Sequence, residues 1–282
     1  MLPFNFDYHK PRTAEEAVKQ YQNGVQDGRN PCYMSGGTEL LTLGRIGLMS
    51  TDIVIDLKGI PDYTSITTSQ HDYLVLGAGA TLTAIEEADA YPLLSHAVSE
   101  IADRTARNKI TLAGNICGQI FYREAVLPFL LVDCSAGVAG PEGMAIHPFK
   151  KIFHNEIHLN DGEWLYTMII NKADLDLPYY CKKRRQQWDT GYPLITLAAV
   201  KKEQKIRMAI SGLCPFPFRS LNMERALNES QLSALERVEN ALTFVPSPVL
   251  SDVEGSADYR LFTLRNMVLD ALQQLEGEPN GA

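Results

Sequence analysis

Two glycine-rich segments of the sequence have the composition of anion-binding loops. The first is Ser35-Gly36-Gly37-Thr38-Glu39-Leu40-Leu41, in which adjacent glycines let the backbone turn its N–H groups toward a ligand with no Cβ in the way. A run of such N–H groups forms a nest that suits a phosphate. Leu40-Leu41 resembles the start of a helix, whose N-terminus also favours anions. The alternative interpretation is a plain turn.

The second segment is Arg107-Asn108-Lys109-Ile110-Thr111-Leu112-Ala113-Gly114-Asn115-Ile116, a predicted loop after a helix. It again combines a hydroxyl, a small residue, a glycine and an amide. The alternative is a helix C-terminus, where Arg107 and Lys109 would match the negative end of the helix dipole. That alternative explains the two cations well and the Thr-x-x-Gly-Asn pattern less well. Both segments together favour a ligand that carries phosphate.

Several other chemistries are disfavoured. Gly77–Leu82 begins like a dinucleotide-binding turn, but Leu82 stands where the Rossmann pattern needs its third glycine. The sequence has no G-K-[ST] and no G-x-S-x-G motif. His154 and His158 are the one H-x-x-x-H pair, without the glutamate of a zinc-protease helix. The five cysteines are dispersed, with no C-x-x-C pair. We therefore predict no metal site and no catalytic side chain.

Composition limits the class of protein and its partners. The 282 residues are 45% apolar and 21% charged, with a net charge of −8, which excludes disordered classes and argues against a nucleic-acid binder. The N-terminus lacks a basic start followed by an apolar run. The most apolar stretch, Val126–Gly140, contains Asp133 and is too short to span a bilayer. We expect a cytoplasmic protein that neither enters a membrane nor binds nucleic acid.

The elements that position these segments mix strands and helices without a strict βαβ alternation, which predicts an α+β fold. Capping boxes at Thr13–Glu16 and Thr83–Glu86 mark two helix starts. The remaining predicted helices cover about 92–104, 220–227, 231–242 and 258–275. The predicted strands cover about 52–57, 73–76, 164–170, 194–200 and 206–213. A polar stretch at 171–178 that ends in proline predicts a domain boundary.

At the glycine segments the sequence resembles the FAD-binding (medium) subunit of the molybdenum hydroxylases, the family of xanthine dehydrogenase and carbon monoxide dehydrogenase. The family pattern A-G-G-T-[DH]-L-L is similar to Ser35–Leu41, and [VA]-R-N-x-x-T-[IL]-[GA]-G-N is similar to Ala106–Asn115. Leu130–Cys134 resembles a strand of the family. Further similar stretches are Ile55–Ile60, Leu76–Thr81, Tyr192-Pro193-Leu194, Gly212–Pro217 and Ser256–Arg260.

The resemblance implies an FAD-binding domain at 1–172, with subdomains of about 1–57 and 58–172, and a smaller α+β domain at 173–282. The first domain would be of the non-Rossmann type shared with vanillyl-alcohol oxidase. FAD would be the cofactor of a xanthine dehydrogenase-like oxidoreductase subunit. Its partners would be an iron–sulfur subunit and a molybdopterin-binding large subunit. Electrons would pass from iron–sulfur centres through FAD to NAD or another acceptor, and the chain alone would not act on the organic substrate.

The resemblance also implies which residues bind FAD. Glu124 and Lys183 would contact the ribityl chain or the flavin ring, with Lys182 as the alternative to Lys183. The family's first Asp-Pro after the second segment is missing here. The alternatives are a surface carboxylate at Glu124 and a solvated basic run at Lys183. The residues implied to hold the pyrophosphate are Ser35, Gly36, Gly37, Thr38, Glu39, Leu40, Thr111, Ala113, Gly114 and Asn115.

Two other functions remain open from the sequence. A stand-alone FAD-dependent oxidase or reductase would need its own acid or base near the flavin, and Glu124 and the tyrosines are the candidates. A scaffold subunit that has lost flavin binding is the second alternative, because the 117–124 segment departs from the family pattern.

Overall fold

The computed structural model describes residues 2–69, 71–185 and 192–277, which form two compact units. The first consists of Met1–Ala88, Arg104–Gly118 and Asp133–Lys172. The second consists of Asp89–Asp103, Gln119–Val132 and Ala173–Ala282. Residues 89–103 and 119–132 therefore belong to the second unit, whereas the sequence analysis places them in the FAD-binding domain. Elements are numbered along the whole chain.

A small parallel sheet in the first unit positions the first glycine segment. Its strands have the order β1-β3-β2, and β3 is buried along its whole length. Helix α1 (Ala14–Gln26) connects β1 to β2, and helix α2 (Thr38–Arg45) connects β2 to β3. The glycine segment thus follows the carboxyl end of a parallel strand, the usual place for a ligand in such sheets. The strands are β1 (Asp7–His9), β2 (Pro31–Met34) and β3 (Ile53–Asp56).

A five-stranded sheet forms the rest of the first unit. Its order is β4-β5-β10-β6-β7, and every neighbouring pair is antiparallel. Because β5 has only antiparallel neighbours in the described sheet, the Gly77–Leu82 turn is not part of a Rossmann unit. The strands are β4 (Ile66–Thr68), β5 (Tyr73–Gly77), β6 (Ser135–Gly140), β7 (Gly143–Pro148) and β10 (Trp164–Asn171), beside a hairpin of β8 (Phe153–His154) and β9 (Glu156–Ile157).

Short helices accompany this sheet. They are α3 (Leu82–Ala88), α5 (Arg104–Arg107), α6 (Leu112–Cys117) and α8 (Phe149–Ile152). Helix α3 corrects the prediction of a capping box at Thr83. The helix begins one residue earlier, the Thr81 hydroxyl accepts from the N–H of Ala84 at 3.1 Å, and Thr83 is buried in the first turn. The capping residue at Thr13 is confirmed, with the N–H of Glu16 3.2 Å from its hydroxyl.

The second unit packs helices against an antiparallel sheet of order β11-β12-β13-β14. Residues 193–200 of β12 are all buried, which requires cover on both faces, and helices α7 and α11 both contact this strand. The strands are β11 (Tyr179–Arg185), β12 (Pro193–Lys202), β13 (Lys205–Ser211) and β14 (Phe218–Arg219). The helices are α4 (Pro92–Ser99), α7 (Leu127–Leu131), α9 (Leu221–Leu227), α10 (Ala234–Leu242) and α11 (Ala257–Glu276).

This arrangement confirms the α+β class and corrects two local predictions. The helix predicted over 92–104 ends at Ser99 as α4. Residues 130–134, compared above with a strand, are the end of α7 and a non-strand connection to β6. In the described part of the chain, no helix has the length and apolar character needed to cross a membrane. All five cysteines are free thiols.

Candidate functional site

The first glycine segment turns sharply between β2 and α2. Gly37 has φ +76°, a left-handed conformation that L side chains rarely adopt, and it stands at the N-terminus of α2 without a side chain to cap the helix. Among the described residues, none accepts a hydrogen bond from the N–H groups of Gly36, Gly37 or Thr38. Three donors at a helix N-terminus are therefore free for an anion, and anion binding by this segment stays a prediction.

The first segment touches the second through Gly36. A Cβ on Gly36 would lie 2.2 Å from the carbonyl oxygen of Lys109 and 3.2 Å from the nitrogen of Thr111. No side chain fits there without movement of one backbone. The two glycine segments, far apart in sequence, are thus in van der Waals contact, and Gly36 is the residue that permits it.

The second segment differs from the nest that the sequence predicts, because the N–H groups that begin α6 are already paired. Thr111 caps the helix, and residues 78–80 of the turn after β5 provide two of the acceptors. Each of these donors is therefore unavailable to a ligand in this structure. The bonds are Leu112 N to Ala80 O at 3.0 Å, Ala113 N to Ala78 O at 2.6 Å, Gly114 N to Thr111 Oγ1 at 3.1 Å and Asn115 N to Thr111 O at 3.0 Å.

Three hydroxyl groups connect the two segments. The Tyr63 hydroxyl donates to Ser35 Oγ at 2.7 Å, and Ser35 Oγ lies 2.7 Å from Thr111 Oγ1. Thr111 is fully buried and Tyr63 is nearly so. Burial raises the pKa of Tyr63 well above its ordinary value, so its hydroxyl remains a donor at neutral pH.

A second set of contacts holds the backbone of Ser35. Lys58 Nζ donates to the carbonyl oxygen of Ser35 at 2.5 Å and to Asp56 Oδ1 at 2.7 Å, and the Tyr8 hydroxyl donates to Asp56 Oδ2 at 2.6 Å. Burial by itself raises the pKa of Asp56, but the hydrogen bonds from Lys58 and Tyr8 outweigh it and leave that pKa below its ordinary value. The ionised carboxylate therefore orients Lys58 beneath the first loop.

The structure divides the predicted pyrophosphate residues into two groups. Those at least partly exposed are Ser35, Gly36, Gly37, Thr38, Glu39 and Gly114. Those buried are Leu40, Thr111, Ala113 and Asn115. The buried group lies beneath the loops and supports them. Contact of either group with FAD stays a prediction.

Arg107 fits the alternative interpretation of the second segment. It is the last residue of α5, and its guanidinium forms an ion pair with Glu86 at 3.0 Å. A cation at the C-terminal end of a helix is favoured by the helix dipole. Arg107 therefore serves the structure of the first unit.

Glu124 and Lys183 form a buried ion pair in the second unit. Lys183 Nζ lies 2.7 Å from Glu124 Oε1, and the two side chains are 3% and 2% exposed. The alternatives of a surface carboxylate and a solvated basic run are therefore wrong. Lys182, the other candidate, is 38% exposed and pairs with Asp270 at 3.3 Å. Contact of Glu124 and Lys183 with a flavin stays a prediction.

The end of α4 completes the surroundings of this pair. The carbonyl oxygen of Glu100, which follows α4, accepts from Lys183 Nζ at 2.7 Å and from an Arg185 nitrogen at 2.9 Å. Arg185 also pairs with the Glu100 carboxylate at 3.0 Å. Since the last carbonyls of a helix carry partial negative charge, they favour both cations. These hydrogen bonds and the ion pair connect strand β11 to the C-terminal end of α4.

Sequence reasoning missed Tyr63, Lys58, Glu100 and Arg185. Lys58 lies within the Ile55–Ile60 stretch, and Arg185 ends the basic run that contains Lys183, so both segments were usable signals. Tyr63 and Glu100 lie outside every motif, and only their distances in the folded chain identify them. Within the described residues, no group of three or more metal-ligating side chains is assembled.

A family model and several known proteins match this chain over regions that include both glycine segments. The family model described as "FAD binding domain in molybdopterin dehydrogenase" matches residues 4–170. The glyceraldehyde dehydrogenase medium chain of Sulfolobus acidocaldarius is 23% identical over 98% of this chain and 100% of its own length. The carbon monoxide dehydrogenase medium chain of Afipia carboxidovorans is 27% identical over 92% of this chain and 93% of its own.

A solved structure shows the same fold. The chain from carbon monoxide dehydrogenase of Hydrogenophaga pseudoflava, in a form lacking the Mo-pyranopterin moiety of the molybdenum cofactor, superposes with a TM-score of 0.86 at 22% identity. The similarity covers 98% of this chain and 99% of that one. It therefore extends through both compact units.

Proposed function

The chain belongs to the family of FAD-binding domains of molybdopterin dehydrogenases, and we propose that it carries electrons inside a molybdenum hydroxylase complex. As a member of that family it is an FAD-binding oxidoreductase subunit. Its partners would be an iron–sulfur subunit and a molybdopterin-binding large subunit. Support comes from relatives that are themselves named medium chains of dehydrogenases and match over nearly their whole length.

The proposed site for the FAD pyrophosphate is the first loop. The observation that carries it is the set of free N–H groups at Gly36, Gly37 and Thr38, in a loop where a Cβ on Gly36 has no room. Such a cradle fits a diphosphate, which needs donors at close approach. When bound, FAD supplies the redox chemistry, and the protein positions and tunes it. The residues of this chain hold the phosphates and shape the loop.

Glu124 and Lys183 are proposed to act on the flavin ring or the ribityl chain. Lys183 uses two of its three ammonium donors on Glu124 and Glu100, which leaves one for a ligand. The buried pair keeps the ammonium in one orientation. A Lys183→Met variant tests this proposal, because a cation near the ring favours the reduced flavin. In the Lys183→Met variant the midpoint potential of bound FAD should fall, whereas the affinity of the chain for oxidised FAD should change by a smaller free energy.

The loop assignment is tested with two glycine variants that carry the same backbone strain. Gly37 and Gly47 have φ +76° and +74°, so an alanine is strained at either position. At Gly47 a Cβ would meet nothing within 4 Å, and Gly47 lies beyond α2. We expect Gly37→Ala to weaken FAD binding at least tenfold and Gly47→Ala to leave it unchanged, as measured by flavin fluorescence titration. Equal effects of the two variants would place the phosphates elsewhere.

The electron-transfer role is tested by anaerobic reduction of the bound FAD. The chain alone should stay oxidised with xanthine, an aldehyde or carbon monoxide. With both partner subunits present, one of these should bleach the flavin, and we propose xanthine or a related heterocycle as the substrate of the large subunit. NAD is the proposed acceptor, tested by reoxidation of the flavin. Turnover by the chain alone would favour a stand-alone flavoenzyme, and absence of flavin from the assembled complex would favour a scaffold.

We also propose that the complex works in the cytoplasm. The five free thiols support this, since thiols persist in reducing compartments. Cell fractionation with an antibody against the chain tests it directly. Recovery in an oxidising compartment would contradict the proposal.

A further inference from the structure

The hydroxyls of Ser35, Tyr63 and Thr111 form a cluster whose protons can be assigned by counting donors and acceptors. Each hydroxyl has one hydrogen and two lone pairs. Thr111 Oγ1 already accepts from the N–H of Gly114 at 3.1 Å, and Tyr63 donates to Ser35 Oγ at 2.7 Å. One undecided bond remains, between Ser35 Oγ and Thr111 Oγ1 at 2.7 Å, in which either oxygen is a possible donor.

Burial decides the direction of this bond. Thr111 is 0% exposed, and Ser35 Oγ is the one acceptor that the described residues place within reach of its hydrogen. If Ser35 donated, the Thr111 hydrogen would be buried without an acceptor, which is unfavourable. Thr111 therefore donates to Ser35. Ser35 is a partly exposed residue and Thr111 is not, so the hydrogen left without an acceptor in the cluster is assigned to Ser35.

We infer that Ser35 is a specificity-determining residue of the first loop, held as a pure hydrogen-bond donor toward the ligand by Tyr63 and Thr111. Both lone pairs of Ser35 Oγ are occupied, so only its hydrogen is left to offer. The neighbouring N–H groups of Gly36, Gly37 and Thr38 are also donors that have no acceptor among the described residues. The Ser35 hydroxyl and these N–H groups all donate, so this part of the loop favours a ligand that accepts hydrogen bonds, such as the anionic oxygens of a phosphate.

The inference rests on the proposed position of the FAD pyrophosphate, and it makes Tyr63 a positioning residue that acts through Ser35. The lost contact in a Ser35→Ala variant would be one hydrogen bond to a charged group, worth about tenfold in affinity.

The test compares FAD with riboflavin, which has the same ring and no phosphate, by calorimetric titration of the full-length chain. Ser35→Ala should lose about tenfold in FAD affinity and none in riboflavin affinity. Tyr63→Phe, which keeps the buried ring, should lose about threefold for FAD, because Ser35 is then free to turn its hydrogen elsewhere. The double variant should bind FAD no more weakly than Ser35→Ala alone.

Thermal unfolding of each apoprotein controls for damage to the fold, because Ser35→Ala also removes the acceptor of the buried Tyr63 and Thr111 hydroxyls. Equal losses for FAD and riboflavin, or additive effects in the double variant, would overturn the inference. If Ser35→Ala binds FAD normally while Gly37→Ala does not, the inference fails and the loop assignment stands. If both variants bind FAD normally, the loop assignment itself fails.

Discussion

The Glu124–Lys183 pair is the interaction whose loss should be most costly to the second unit. Its atoms are 2.7 Å apart, and its side chains are 2–3% exposed. At this distance the attraction is roughly 6 kcal/mol for an effective dielectric constant of about 20. Glu124→Gln preserves the shape and one hydrogen bond but leaves the ammonium buried without its counter-charge. We expect a loss of about 3–5 kcal/mol in the free energy of unfolding.

Urea unfolding followed by circular dichroism measures this loss, and Lys183→Met should cost a similar amount because it leaves the Glu124 carboxylate uncompensated. The combined variant should be more stable than the sum of the single losses predicts, since each buried charge is costly only when the other is missing. Lys182→Met is the matched control. It lies on the same strand in a pair that is 38% and 48% exposed, so we expect a change below about 1 kcal/mol.

Two outcomes would refute this reasoning. One is a Lys183→Met variant no less stable than Lys182→Met, which would mean that the pair is hydrated in solution. The other is strict additivity of Glu124→Gln and Lys183→Met, which would mean that the two groups do not interact.

Three further predictions concern other contacts. Gly36→Ala should destabilise the first unit by about 1–3 kcal/mol more than Gly47→Ala, because only the Cβ on Gly36 would lie 2.2 Å from a backbone oxygen. Equal midpoints of thermal unfolding for the two variants would contradict this. Arg260→Met should cost about 3 kcal/mol in urea unfolding, since this fully buried guanidinium donates to three carbonyl oxygens, and a loss below about 1 kcal/mol would be the contrary result. The hydrogen bond to Asp56 raises the pKa of Tyr8 to about 12. The bond therefore contributes fully to the free energy of unfolding below about pH 10, and this contribution is lost between about pH 10 and 12. Tyr8→Phe should lose less stability than the unaltered chain across that pH range, and an unchanged alkaline profile would argue against the bond.

Local patterns in the sequence were sufficient for several of the longer elements. The predicted helices over 220–227, 231–242 and 258–275 correspond to α9, α10 and α11, and each begins after a capping serine. The strand predicted at 164–170 is β10. Capping and apolar spacing involve residues within a turn or two of each other, so a single sequence contains the information. The motifs of the two glycine segments also indicated the family and FAD.

Only the tertiary structure decided which groups of the two segments are free. The N–H groups of α6 are satisfied by residues 78–80, about thirty positions earlier in the chain, so the second predicted nest is closed. The cluster of Ser35, Tyr63 and Thr111 spans 76 positions. Lys183 is buried because Glu124 comes from a distant segment that packs in the second unit. Residue type and local spacing determine what a side chain is able to do, but burial and the pairing of donors depend on the packing of distant segments, which no local pattern contains.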